Sequence, residues 1–172
     1  MAVQPDVFAW LGDIVYAPPG AVDALPALYA RLAAEPGYAA LRRSTRVIGV
    51  WDDNDYGQNN GGRHLVGRER AQTRASAAYA LGQALLDFLD VPAHDARRQR
   101  AGVYTSHTVS RGGMTVKVIL LDCRYHRDDP GLSGDVLGEE QWAWLEAELS
   151  GSHASVHLIG SGFQVLRALA AG

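Results

Sequence analysis

Val47-Ile48-Gly49-Val50-Trp51-Asp52-Asp53-Asn54-Asp55-Tyr56-Gly57 runs from five apolar or small residues into a turn crowded with carboxylates and an amide. A short apolar run bounded by turn residues reads as a buried β-strand. The oxygen-rich turn at its end, continued by Gln58-Asn59-Asn60-Gly61-Gly62, offers ligands for a hard cation. Upstream, Val7-Phe8-Ala9-Trp10-Leu11 ends in Gly12-Asp13, with Tyr16 three residues on. Two strands that both deliver oxygen donors at their carboxyl ends predict one metal site at a sheet edge, with Asp13, Tyr16 and the crowded carboxylates Asp52, Asp53 and Asp55 as candidate donors. Asp13 capping a turn, Tyr16 packing on the core and a solvated Asp/Asn turn account for the same residues equally well.

Moving outward, the pattern alternates strands with helices. Residues 24–34 carry a helical stripe of Leu25, Leu28, Tyr29 and Leu32, with Asp23 as expected N-cap and Pro26 in the first turn. Residues 38–43 form a second short helix after Pro36-Gly37, and residues 69–89 a long one ended by Pro92. Residues 103–109 and 114–121 pair as a hairpin across Gly112-Gly113. Residues 122–137 read as loop, 138–149 as a helix with Trp142, Leu145 and Leu149 on its apolar face, and 155–159 as a last strand followed by a Gly160-Ser161-Gly162 turn. The first strand is expected to be fully buried. This is an α/β domain with a mixed sheet and polar residues at strand carboxyl ends.

Composition narrows the function. The net charge of -3 argues against nucleic acid as a binding partner. Cys123 is the single cysteine, so no Cys-based zinc cluster forms. No apolar run approaches the ~18 residues that span a bilayer, so no membrane partner is expected, and no export signal precedes the first strand. Localisation and oligomeric state stay open. The Asp52 loop does not fit an EF-hand, because Tyr56 fills a ligand slot and Arg63 stands where the bidentate Glu belongs. Arg97, Arg98, Arg100 and Arg124 are candidate phosphate binders or a solvated basic segment. Gly160-Ser161-Gly162 is not a nucleophile elbow.

In order along the chain, these segments resemble the central portion of the PhoD-like alkaline phosphatases, a metallophosphatase family. Trp10-Leu11-Gly12-Asp13-Ile14-Val15-Tyr16-Ala17 resembles the family's W-L-G-D-N-I-Y-A strand end, and Trp51 to Asn60 its W-D-D-H-D-Y-G-x-N-D loop. Arg97-Arg98-Gln99-Arg100-Ala101-Gly102-Val103-Tyr104, Ile119-Leu120-Leu121-Asp122-Cys123-Arg124-Tyr125, Leu137-Gly138-Glu139-Glu140-Gln141-Trp142 and Ser161-Gly162-Phe163-Gln164-Val165 continue the series.

The resemblance implies the mixed-sheet core of an αββα sandwich, one partial domain over residues 1–172, truncated at both ends. It implies a metal-dependent phosphatase or phosphodiesterase acting on a phosphate ester, with divalent or trivalent ions, iron and calcium among them. By this resemblance Asp13 matches the metal-bridging Asp, Tyr16 the ferric-iron ligand of some members, and Asp53 the position of an Asn ligand in the wider metallophosphoesterase superfamily; Asn54 and Arg124 are the candidate catalytic residues. Asn54 stands where the family has His, Ile14 where it has Asn and Pro18 where it has Asp. An amide cannot serve as a general acid near neutral pH. The motifs expected before residue 1 and after Val165 have no counterpart. The alternative is therefore an impaired relative that retains weak metal or phosphate binding. The isolated chain is expected to turn over poorly, with little rescue by Asn54→His.

Overall fold

A computed structural model describes residues 5–18, 20–65, 77–129 and 134–164. Strand β1 (Val7–Leu11) is followed by helices α1 (Leu25–Ala34) and α2 (Pro36–Ser44), then strand β2 (Arg46–Val50). Helix α3 (Ala77–Phe88), strands β3 (Thr105–Arg111) and β4 (Met114–Leu121), helix α4 (Gly138–Ser150) and strand β5 (Val156–Ser161) complete the order. β1 and β2 pair in parallel, with Val7 opposite Arg46 and Leu11 opposite Val50. β3 and β4 form the expected antiparallel hairpin, with Arg111 opposite Met114. Gly112 and Gly113 both take positive φ, 57° and 82°, the two-residue turn that matches strand twist. β5 joins β4 in parallel, so the second sheet is mixed.

β4 separates two apolar clusters, because its side chains alternate. Leu120 packs with Leu25, Tyr29, Ile48, Val50, Trp51, Leu85, Leu86 and Phe88, joining β2 to α1 and α3. Ile119 and Leu121 face Leu137 and Leu145, against α4. Helices thus cover both sides of the strand, as the α/β reading requires. Full burial of one Leu side chain such as Leu85 contributes ~2 kcal/mol.

Several local expectations change. β1 is half-exposed rather than buried, with Leu11 44% exposed. Its one hydrogen-bonded neighbour among the described residues is β2. Asp23 does not cap α1: a 3₁₀ turn at Val22–Ala24 leads the chain in, and no side chain caps the helix. α3 begins at Ala77 among the described residues, and the predicted portion 69–76 lies outside them. Gly160 and Ser161 belong to β5 rather than to a turn. On β5, Leu158 and Ile159 stand exposed.

On α4, Trp142 and Leu149 are exposed and the buried positions are Gly138, Gln141 and Leu145. The reason is polar. Fully buried Gln141 donates from Nε2 to the Asp122 carbonyl at 2.7 Å and accepts the Asp122 N–H at 2.8 Å. That pair turns the helix so that Trp142 lies outside, its indole N–H on Asp135 at 2.8 Å.

The basic segment is structural. Arg97 grips Asp95 with two nitrogens, at 3.0 and 3.1 Å. Arg98 donates to the Val91 carbonyl and pairs with Asp87. Arg100 lies over the Tyr104 ring at 3.7 Å.

Replacing Gln141 with Ala strands two buried backbone groups, and urea unfolding should show a loss of about 1–3 kcal/mol. A loss indistinguishable from zero would mean that the amide does not position α4. The Arg97 hydrogen bonds hold the Asp95 carboxyl below its ordinary 3.8. The pair's contribution to stability is therefore complete above 3.8 and disappears as pH falls through the lowered folded value. Asp95→Asn should be destabilised at neutral pH, and its deficit should shrink in acid denaturation series. A deficit that is constant across that window contradicts the linkage.

Candidate metal centre

Asp13 and Asp53, predicted to meet, do meet. Oxygens of Asp13, Asp52 and Asp53 all lie within 4.8 Å of one another. The parallel pairing of β1 with β2 places Leu11 beside Val50, so the turns after both strands open on the same sheet edge. The approach requires glycine. A Cβ on Gly12, at φ 102°, would stand 2.3 Å from the Asp52 Cβ. Asp13 itself takes φ 52°, a conformation that Asp tolerates better than most residues.

Each carboxylate of the crowded loop has a different task. Asp55 turns inward, 1% exposed. It accepts the N–H groups of Ile14 at 3.1 Å, Val15 at 3.1 Å and Asp52 at 3.2 Å, and the Tyr29 hydroxyl at 3.0 Å. Burial pushes its carboxyl up, and these donors pull against that shift. Asp122 is likewise consumed internally, accepting from Val103, Arg124 and Tyr125 N–H groups at 2.9 Å each. Neither belongs to the cluster of three.

Asp13 accepts from the Asn54 amide at 3.0 Å and from the Tyr16 hydroxyl at 2.9 Å. Burial raises its carboxyl, but those hydrogen bonds outweigh it and leave the group below its usual value. Tyr16 stands at the rim, 61% exposed, and its hydrogen bond to Asp13 holds the phenol above its ordinary value. Asp53 accepts the Asn60 N–H at 2.6 Å. Asp52 meets Arg124, whose Nε donates at 2.5 Å, while the same guanidinium lies 3.8 Å from Asp53. Burial raises the Asp52 carboxyl; Arg124 opposes this and the neighbouring Asp53 and Asp13 add to it.

Asp13, Tyr16, Asp52, Asp53, Asn54 and Arg124 therefore gather in one place as predicted, while Asp55 stands outside the cluster. Arg124 lies deeper than its predicted role as a phosphate grip suggests, 3% exposed behind Asp52. Two contributors were not singled out in the sequence. Arg127 donates to the Asn60 carbonyl at 2.8 Å and so braces the turn that holds Asp53. Phe163 carries Arg124 and Arg127 over its ring, at 5.2 and 5.1 Å. The Arg124-x-x-Arg127 spacing was visible; the aromatic ring between them was not, because β5 delivers it from a distance in sequence.

The donor set suits a hard ion. It is oxygen-only, with three carboxylates offset by one guanidinium. Like charges this close repel unless a cation or several donors offset them.

The profile of the PhoD-like phosphatase family matches residues 23–170. The chain belongs to the PhoD-like phosphatase family. A solved structure titled "Structure of PhoD" superposes with a TM-score of 0.59 at 16% identity, over 90% of this chain and 35% of that one. That likeness speaks for the fold, and the chain spans about a third of the length of that structure's chain. Among curated proteins none matches. No helix among the described residues is long and apolar enough to cross a membrane.

The division of labour between neighbouring carboxylates is testable. Asp53→Asn should weaken calcium or manganese binding, read by titration calorimetry, with little change in thermal unfolding. Asp55→Asn should do the reverse first, lowering stability by ~2 kcal/mol because an amide cannot replace a carboxylate that accepts four donors. Equal effects of the two variants on both readouts would refute the assignment.

Proposed function

We propose that this chain is a metal-dependent phosphoric ester hydrolase of the alkaline phosphatase or phosphodiesterase type. The observation that carries it is the convergence of Asp13, Asp52 and Asp53 from two adjacent strand ends, in a chain of a phosphatase family. These three carboxylates would hold the ion, with Tyr16 at the rim as a further oxygen donor. Calcium, manganese and ferric iron are the ions such a donor set favours. A bound ion there would supply Lewis acidity toward a phosphoryl oxygen and lower the pKa of an attacking water.

The protein's own groups do the rest. Arg124 opposes the upward push of burial on Asp52 and aims it at the cluster, and its positive charge lowers the cost of bringing a phosphate dianion near three carboxylates. Asn54 holds Asp13 in place through its amide and can donate a hydrogen bond to a phosphoryl oxygen. It cannot protonate the leaving alcohol, so good leaving groups should react far better than alkyl esters.

That same residue supports a second reading, a relative that binds the ion or phosphate with little turnover. Chelator-stripped protein, reloaded separately with calcium, manganese and ferric iron, separates the two. The measurements are bound metal and hydrolysis of p-nitrophenyl phosphate and bis-p-nitrophenyl phosphate. The hydrolase reading expects metal-dependent turnover that falls at least ~100-fold in Asp13→Asn and Asp53→Asn, more than the loss of an outer partner would cause. Stoichiometric metal without turnover selects the binding reading, and neither uptake nor turnover rejects both.

A further inference from the structure

A polar cavity lies at the other end of β2 from the acidic cluster. It has a volume of ≈ 220 Å³ and is lined by Arg46, Val47, Leu89, Asp90, Arg97 and His107 among others. Arg46 opens β2 and Asp52 follows its end, so six residues of extended chain, about 20 Å, separate this cavity from the acidic cluster.

Its charges are unevenly matched. Arg46 donates a nitrogen to His107 Nδ1 at 2.9 Å and has no carboxylate partner among the described residues. The accepting Nδ1 leaves the ring proton on Nε2, 3.4 Å from the Thr105 hydroxyl. Arg97, 9% exposed, is held by Asp95. Asp90 reaches the cavity but is engaged by Arg42. Burial first, and then the nearby Arg46 and Arg97 charges, bring His107 down to about 4, with Asp95 opposing. The imidazole is therefore neutral near pH 7, and the field it senses is positive. The cavity is larger than the ~30 Å³ share of a single water, so a small polyatomic ligand can enter. A guanidinium facing such a space without a carboxylate partner, as Arg46 does, can grip a tetrahedral oxyanion bidentately, which an ammonium would not do.

We propose that the cavity between Arg46, Arg97 and His107 binds a phosphate dianion, either inorganic phosphate or the terminal group of a monoester, separately from the candidate metal centre. Arg46 supplies the unpaired charge, turning from His107 Nδ1 to the anion, while Arg97, whose Nε and one Nη are held by Asp95, adds positive field at the cavity and the His107 ring lines its wall. The inference stands whether or not the chain hydrolyses phosphate esters.

The test is a titration followed through the His107 ring signals by NMR, at pH 7, constant ionic strength and excess chelator. Inorganic phosphate and methyl phosphate form separate arms. Expected are saturable shifts in at least one arm, with affinity reduced about tenfold in Arg46→Gln, the worth of one charge-assisted contact. Arg46 is exposed, so this variant retains the fold. Asp53→Asn should leave the shifts unchanged, and the tighter arm identifies the source of the phosphate. Shifts that fail to saturate, that keep their affinity in Arg46→Gln, or that vanish in Asp53→Asn overturn the proposal.

Discussion

The carboxylate of Asp55 is the tie on which the rest of the site depends. It gathers the N–H groups of Ile14, Val15 and Asp52 and the hydroxyl of Tyr29 into one buried acceptor. Ile14 follows Asp13 directly, and Asp52 precedes Asp53. One internal anion therefore sets the positions of the cluster members on both strands. It also anchors α1, through Tyr29, to the turn after β2. Burying a charge is costly unless donors surround it, and four donors meet that condition here. A carboxylate outside the cluster of three is thus what brings its neighbours together.

The second constraint is charge balance at the sheet edge. Three carboxylates within hydrogen-bonding reach of a few shared donors repel one another, and the protein answers with Arg124 from the turn after β4. That guanidinium is in turn held over Phe163 from the end of β5. The two sheets consequently meet at the site: β1 and β2 contribute the acids, and β4 and β5 contribute the cation and its support. Gly162 packs beside Asp52, where a Cβ would come within 3.0 Å, so β5 also limits the space behind the cluster. The cation deserves to be read as part of the acidic site rather than as an independent phosphate grip.

The arginine-rich segment illustrates the opposite outcome. Arg97, Arg98 and Arg100 carry the same chemistry as Arg124, yet carboxylates, carbonyls and aromatic rings occupy them where they stand. Guanidinium groups serve as often to tie loops as to bind anions, and composition cannot separate the two roles. Arg46 differs because it lacks a carboxylate partner among the described residues and faces a cavity.

Much was legible in the sequence because it follows from local rules. Short apolar runs ending in turns marked β1, β2, β4 and β5 to within a residue or two, and Gly112-Gly113 marked the hairpin. Gly12-Asp13 and the Asp52–Asp53 pair marked oxygen-rich turns at two strand ends, a pattern that a solvated turn shares with a cation site. Long-range contacts decided the rest. Asp53 and Asp55 stand two residues apart with the same side chain, yet one faces the cluster and the other the interior, since only the packed turn determines which carboxylate the β1 backbone can reach. Trp142 read as core, yet it lies outside and Gln141 is buried in the helix's inner face, because two backbone groups of Asp122 needed partners. Side-chain type and period determined which segments form strands and helices; the pairing of unsatisfied polar groups across distant segments determined which carboxylates face the acidic cluster, which became ties, and which residues were left facing solvent.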